Sequence, residues 1–106
     1  ILVTGKGLSH KKACAGLCVC ETAEELAAHY KTGDIIVVPA TNNCMLPQIR
    51  TCSGLIVEEG GINSHAAIVG LSLDIPVILE AKHATKILKS GAIVTIDGEK
   101  GIVSCN

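Results

Sequence analysis

The apolar positions of this chain fall into short blocks separated by turn residues, and the period changes from block to block. Asp34-Ile35-Ile36-Val37-Val38 is a continuous β-branched run stopped by Pro39, the pattern of a strand buried on both faces. Gly54 to Val57 and Pro76 to Leu79 repeat that pattern, and Ala13 to Cys20 alternates loosely as a further strand. Leu2 to Thr4 reads as a short strand and Gly5-Lys6-Gly7 as a turn. Between the strands lie helical stretches. Thr22 and Glu25 have capping-box spacing, so a helix starts there and ends near Tyr30, with Gly33 beyond it. Asn42 or Asn43 can cap a short helix running to about Cys52, with Pro47 in its first turn. Ser64 to Leu73 and Ala84 to Lys89 are the remaining helices, the last closed by Gly91. Ala92 to Ile96 and Ile102 to Ser104 flank Asp97-Gly98-Glu99-Lys100-Gly101 as a closing hairpin. Strands alternating with helices in the centre, and strands pairing at both ends, predict an α/β domain layered on a mixed sheet.

The most telling segment is Glu58-Glu59-Gly60-Gly61-Ile62-Asn63-Ser64-His65-Ala66-Ala67-Ile68. It places a histidine where a strand-to-helix turn becomes a helix. The first N–H groups of a helix lack internal partners and the dipole is positive at that end, so an anion is stabilised there. A neutral imidazole nitrogen is a competent nucleophile. His65 is therefore the candidate catalytic residue, a possible phosphohistidine. Gly60, Gly61, Asn63 and Ser64 are candidate phosphate or anion contacts. Thr41, just past a strand end where sites form in α/β sheets, joins them. Each has a plainer role too: His65 could donate to a backbone carbonyl, Asn63 and Ser64 are ordinary N-caps, the glycines suit any tight turn, and Thr41 suits a polar loop. Glu58 and Glu59 read as a solvated edge. His10, His29 and His83 read as surface residues, and Lys82, Lys86 and Lys89 as a solvated helix face.

Composition narrows the function. The chain has 106 residues, enough for one domain with a real core. It is 48% hydrophobic with Tyr30 as the only aromatic residue, so that core is aliphatic. A net charge of −1 without a basic cluster argues against a nucleic-acid surface. The lack of aromatics removes base-stacking platforms as well. No apolar run reaches the roughly 18 residues of a membrane span. Ile1-Leu2-Val3-Thr4 lacks an initiator Met and a signal-peptide pattern, so residues 1–106 read as a single domain excised from a longer, cytoplasmic protein. Six cysteines, Cys14, Cys18, Cys20, Cys44, Cys52 and Cys105, could form a disulfide framework, but an aliphatic core of this size needs no staples. Cys18-Val19-Cys20 has the wrong spacing for a structural zinc site, so no metal is expected and the thiols read as buried or idle.

Gly60-Gly61-Ile62-Asn63-Ser64-His65-Ala66-Ala67-Ile68 resembles the G-G-x-T-S-H-A-A-I signature of phosphoenolpyruvate-utilising enzymes, whose swivelling β/β/α domain carries a phosphohistidine between two active sites. Gly33-Asp34-Ile35-Ile36-Val37 is similar to that family's G-D-I-L-V strand, Met45-Leu46-Pro47 to its M-x-P helix start, and Ile75-Pro76-Val77-Ile78 to the strand after the motif helix. Val94 to Gly98 and Gly101-Ile102-Val103 resemble its terminal hairpin. The likeness spans essentially the whole chain. Leu2 to Gly7 and Glu58 to Leu73 resemble the extra C-terminal domain of certain bacterial pyruvate kinases. That resemblance implies a structural or regulatory extension with no cofactor of its own. It also implies a parent enzyme that moves a phosphoryl group from phosphoenolpyruvate to ADP with Mg²⁺ and K⁺, forms a homo-oligomer, and supplies the other domains as partners. The alternative it implies is a working phosphohistidine carrier of a dikinase, a phosphoenolpyruvate synthase or a phosphotransfer-system enzyme. Against the carriers, this chain has Asn63 where Thr is usual and Leu71 where an Arg is common; Asp74 and Glu80 replace frequent glycines. Arg suits a bidentate clamp on phosphate, and its absence weighs against transfer through His65.

Overall fold

The computed structural model describes residues 2–61 and 64–105. Among them, eight strands and four α-helices follow in the order β1 (Val3–Thr4), β2 (Lys6–Gly7), β3 (Lys12–Val19), α1 (Ala23–His29), β4 (Ile35–Val38), α2 (Leu46–Ile49), β5 (Gly54–Val57), α3 (His65–Leu73), β6 (Val77–Leu79), α4 (Ala84–Ile87), β7 (Ile93–Asp97) and β8 (Ile102–Cys105). A 3₁₀ turn, Asn43–Met45, leads into α2, so the stretch expected as one helix to Cys52 is split in two.

The strands form one mixed sheet in the order β1-β8-β7-β3-β4-β5-β6-β2. β3 to β6 are parallel, with Ile36 opposite Cys18 and Leu55. β7, β8, β1 and β2 add antiparallel pairs. β1 and β2 lie at opposite edges of the sheet but are separated by Gly5 alone, so the sheet nearly closes on itself. Gly5 packs so tightly there that a β-carbon would overlap the Leu79 carbonyl oxygen. The segment Gly5-Lys6-Gly7, expected as a turn, is instead a corner at Gly5 followed by the short strand Lys6–Gly7, which pairs with β6.

Alternate residues of the parallel strands feed two cores, which is why those strands read as unbroken apolar runs. Ile36, Val38, Leu55, Val57, Val77 and Leu79 face the layer of α1, α2 and α3, where they meet Leu26, Ile49, Ala66 and Ala67. Ile35, Val37, Ile56 and Ile78 face the antiparallel strands and meet Val3, Val94, Ile96 and Val103, with Ala84 and Leu88 of the α4 segment beside them. The result is a three-layer β/β/α domain. Its α1 start follows the capping logic: Thr22 Oγ1 accepts from Glu25 N–H at 3.1 Å, while Glu25 reaches back to Glu21 N–H at 3.1 Å.

Candidate functional site

The carboxyl ends of β4, β5 and β6 bring three loops side by side. Backbone bonds stitch them together: Glu58 N–H to Val38 C=O at 3.3 Å, Glu59 N–H to Pro39 C=O at 3.0 Å, and Glu80 N–H to Glu59 C=O at 3.0 Å. Thr41 follows β4 and is 8% exposed. Asn42 then caps the 3₁₀ turn, its Oδ1 accepting from Cys44 N–H at 2.9 Å. That leaves the Asn43 side chain free of capping duty, at the first position of the turn.

The second loop ends in α3. Ser64 is the N-cap, its Oγ accepting from Ala67 N–H at 3.3 Å, and His65 is the first helical residue. The imidazole spans the gap between the loops: Nδ1 lies 2.8 Å from Thr41 Oγ1, and Nε2 lies 2.9 Å from Asn43 Oδ1. The expected candidates Thr41, Ser64 and His65 are therefore brought together. Gly61 has φ +112°, and its carbonyl accepts from Ser64 N–H at 3.1 Å, so the turn uses the left-handed freedom of glycine. Asn63 lies outside the described residues.

The electrostatics around the turn are acidic. The Glu80 side chain lies against Gly60 so closely that a β-carbon there would overlap Glu80 Cγ. Glu80 itself sits at φ +57°. Glu58 is not the solvated edge expected of it. Its Oε2 accepts from Thr85 N–H at 3.0 Å and Thr85 Oγ1–H at 2.8 Å, holding the first turn of α4. Leu71 and Ile68 expose an apolar face on α3, at 49% and 60%. Among the described residues no three His, Cys, Asp or Glu converge as metal ligands.

Asn43 is the residue that sequence reasoning left out of the site, where it figured only as a possible cap. The available signal was its place two positions beyond Thr41, past a parallel strand. The cysteines divide evenly: Cys18, Cys20 and Cys52 are buried, and Cys14, Cys44 and Cys105 are exposed. Burial and the neighbouring Cys20 thiol, 3.6 Å away, push the Cys18 thiol up to about 12, and burial pushes Cys52 up to about 11.

A family pattern described as "PEP-utilising enzyme, mobile domain" matches residues 30–101. The chain belongs to this family. It is 43% identical over 103 residues to a pyruvate kinase of Geobacillus stearothermophilus, which covers 97% of this chain and 18% of that relative. It is 40% identical over 103 residues to a probable phosphoenolpyruvate synthase of Archaeoglobus fulgidus, covering 97% of this chain and 14% of that one. The mobile domain thus spans less than a fifth of the length of these relatives. Among solved structures, that of Enzyme I (nEIt) superposes with a TM-score of 0.61 at 25% identity, over 78% of this chain and 37% of that chain. The holo-form of Thermococcus kodakaraensis aconitase X superposes at 0.71 with 18% identity, over 96% and 95% of the two chains, which is a likeness of fold alone. The swivelling-domain fold and the family expected from the His65 motif are both borne out. No helix among the described residues is long and apolar enough to cross a membrane.

Proposed function

We propose that this mobile domain is an extension of a pyruvate kinase, structural or regulatory in role, with an anion-sized socket at the His65 turn. The parent would transfer a phosphoryl group from phosphoenolpyruvate to ADP in the cytoplasm, with Mg²⁺ and K⁺ held by domains outside this chain, and would work as a homo-oligomer. The observation that supports this reading is Leu71, a half-exposed apolar residue of α3 that stands where the phosphate carriers commonly have an arginine. Leu71 projects into solvent from α3, and Glu80 lies against Gly60. A phosphoryl group at His65 would lack the guanidinium that Leu71 replaces. Likeness to pyruvate kinases over 97% of the chain supports the same parent. Gly60, Gly61, Asn63, Ser64 and Thr41 remain the residues that would line the socket. The test is to delete this domain from the full-length enzyme. Phosphotransfer rate, effector response and thermal stability that all stay unchanged would end this reading.

A second reading has its own support. The Thr41–His65 bond orients the imidazole at the start of α3, and phosphoenolpyruvate synthases share about as much sequence as the kinases do. In that case His65 is a phosphorylated intermediate of group transfer. Labelled phosphoenolpyruvate should then leave acid-labile label on the wild-type protein and none on His65→Ala. An unlabelled wild type rules it out.

A further inference from the structure

The two side chains bonded to His65 determine which ring nitrogen carries its proton. A neutral imidazole has one N–H donor and one lone-pair acceptor. Asn43 presents its amide oxygen to Nε2 at 2.9 Å, and an amide oxygen only accepts, so Nε2 donates. Nδ1 then holds the lone pair, and the Thr41 hydroxyl donates to it across 2.8 Å. The opposite arrangement would have Thr41 accept from Nδ1–H, and its own hydrogen would need another acceptor. Thr41 is buried, and Nδ1 is the side-chain partner it has among the described residues. An unpaired buried hydroxyl is costly, so the donor role is favoured.

We infer that Asn43 is a positioning residue that latches His65 in the Nε2–H tautomer. Both in-plane positions of the ring are then occupied: Nε2 has no lone pair, and the Nδ1 lone pair is covered by the Thr41 hydroxyl. Attack on a phosphoryl group through Nε2 requires Asn43 to release the ring. The Nε2 proton must also pass to solvent while Nδ1 takes one up, and Thr41 turns from donor to acceptor. The inference deepens the proposed function and rests on it, since the latch supplies a local reason for a His65 that does not carry phosphate. Asn42, not Asn43, caps the adjoining turn, so the latch can be removed without uncapping it.

The test uses the full-length parent protein labelled with ¹⁵N-histidine, the His65 signals being assigned by their loss in His65→Gln. The wild type should show its proton on Nε2, and Asn43→Ala should shift the ring toward a mixture of tautomers. A second measurement follows acylation of His65 by diethyl pyrocarbonate, read by peptide mass spectrometry. The rate should rise about two- to fivefold in Asn43→Ala. It should not rise in Asn43→Asp, which keeps an oxygen acceptor. A wild-type proton on Nδ1, or equal acylation of wild type and Asn43→Ala, overturns the inference. The wild-type tautomer is read without any variant, so a misfolded Asn43→Ala leaves the assignment open to refutation. Failure of the proposed function is read separately, by phosphate transferred to wild-type His65.

Discussion

Replacing Gly70 with alanine is a sharp test of how α3 is seated. On an exposed helix the change would stabilise by about 1 kcal/mol through propensity alone. Here Gly70 is buried against β6, and an added β-carbon would overlap Val77 Cγ2 while sitting 3.4 Å from Val77 Cβ and 3.6 Å from Cγ1. Val77 cannot step aside easily. It is 0% exposed, β-branched, and paired with Leu55 in the parallel ladder. Overpacking of this kind costs about 1–3 kcal/mol, and a rigid neighbour favours the upper half of that range. After the propensity gain, Gly70→Ala should destabilise by about 1–2 kcal/mol. With a urea m-value of about 1–3 kcal/mol/M, the unfolding midpoint should fall by roughly 0.3–2 M. In a Val77→Ala background the obstructing methyls are gone, and the same substitution should be neutral or stabilising. The two sites should therefore couple by about 1–3 kcal/mol in a double-mutant cycle. A stabilised Gly70→Ala in the wild-type background would refute this packing. A seated α3 also keeps His65 within reach of Thr41 and Asn43, so the same variant should disturb the His65 ring signals.

Three further outcomes are expected. Under native conditions iodoacetamide should modify Cys14, Cys44 and Cys105 while sparing Cys18, Cys20 and Cys52 until unfolding; early labelling of Cys18 would contradict its burial. Because burial raises the Cys18 and Cys52 thiols in the folded state, their stabilising effect is intact below about pH 8.5, the ordinary thiol value, and is lost as pH rises toward about 11 to 12; denaturant midpoints falling with pH across that window would show it. Asp74, the α3 C-cap, holds φ +57° and puts a negative charge at the negative end of the helix, so Asp74→Gly should raise stability by about 0.3–1 kcal/mol despite losing an exposed ion pair with Lys11, and a lower melting temperature would count against it.

Much of the architecture was legible because it rests on local rules. Ile35 to Val38 could only be a strand covered on both sides, and Thr22 with Glu25 announced a helix start. The first strand was legible as Leu2 to Thr4, but the two-residue strand Lys6–Gly7 was not, since a segment that short has no period to detect; closure of the sheet is visible only once both edges exist. The helix after Asn42 was read as one element because Pro47 suits a first turn, whereas its start tightens into a 3₁₀ turn that places Asn43 over α3. At the site, His65 stood out by its position after a glycine turn, and Thr41 by its place past a strand end. Asn43 did not, because it is 22 residues away in sequence and meets Nε2 only through the parallel packing of β4 and β5. Glu58 was misread for the same reason: Thr85, its partner, is 27 residues away.

The corner at Gly5 has a consequence for how the domain can be connected. β1 pairs with β8, Val3 facing Val103, and Leu2 N–H donates to Val103 C=O at 2.7 Å. The first and last strands therefore run out side by side, from one edge of the molecule. A short peptide joining residues 2 and 105 should make a circle without bending the sheet, and new ends could be opened at the exposed Gly91 turn. Topologically the domain is a nearly closed loop of chain, whose order along the polypeptide can be rewritten while its three layers stay in place.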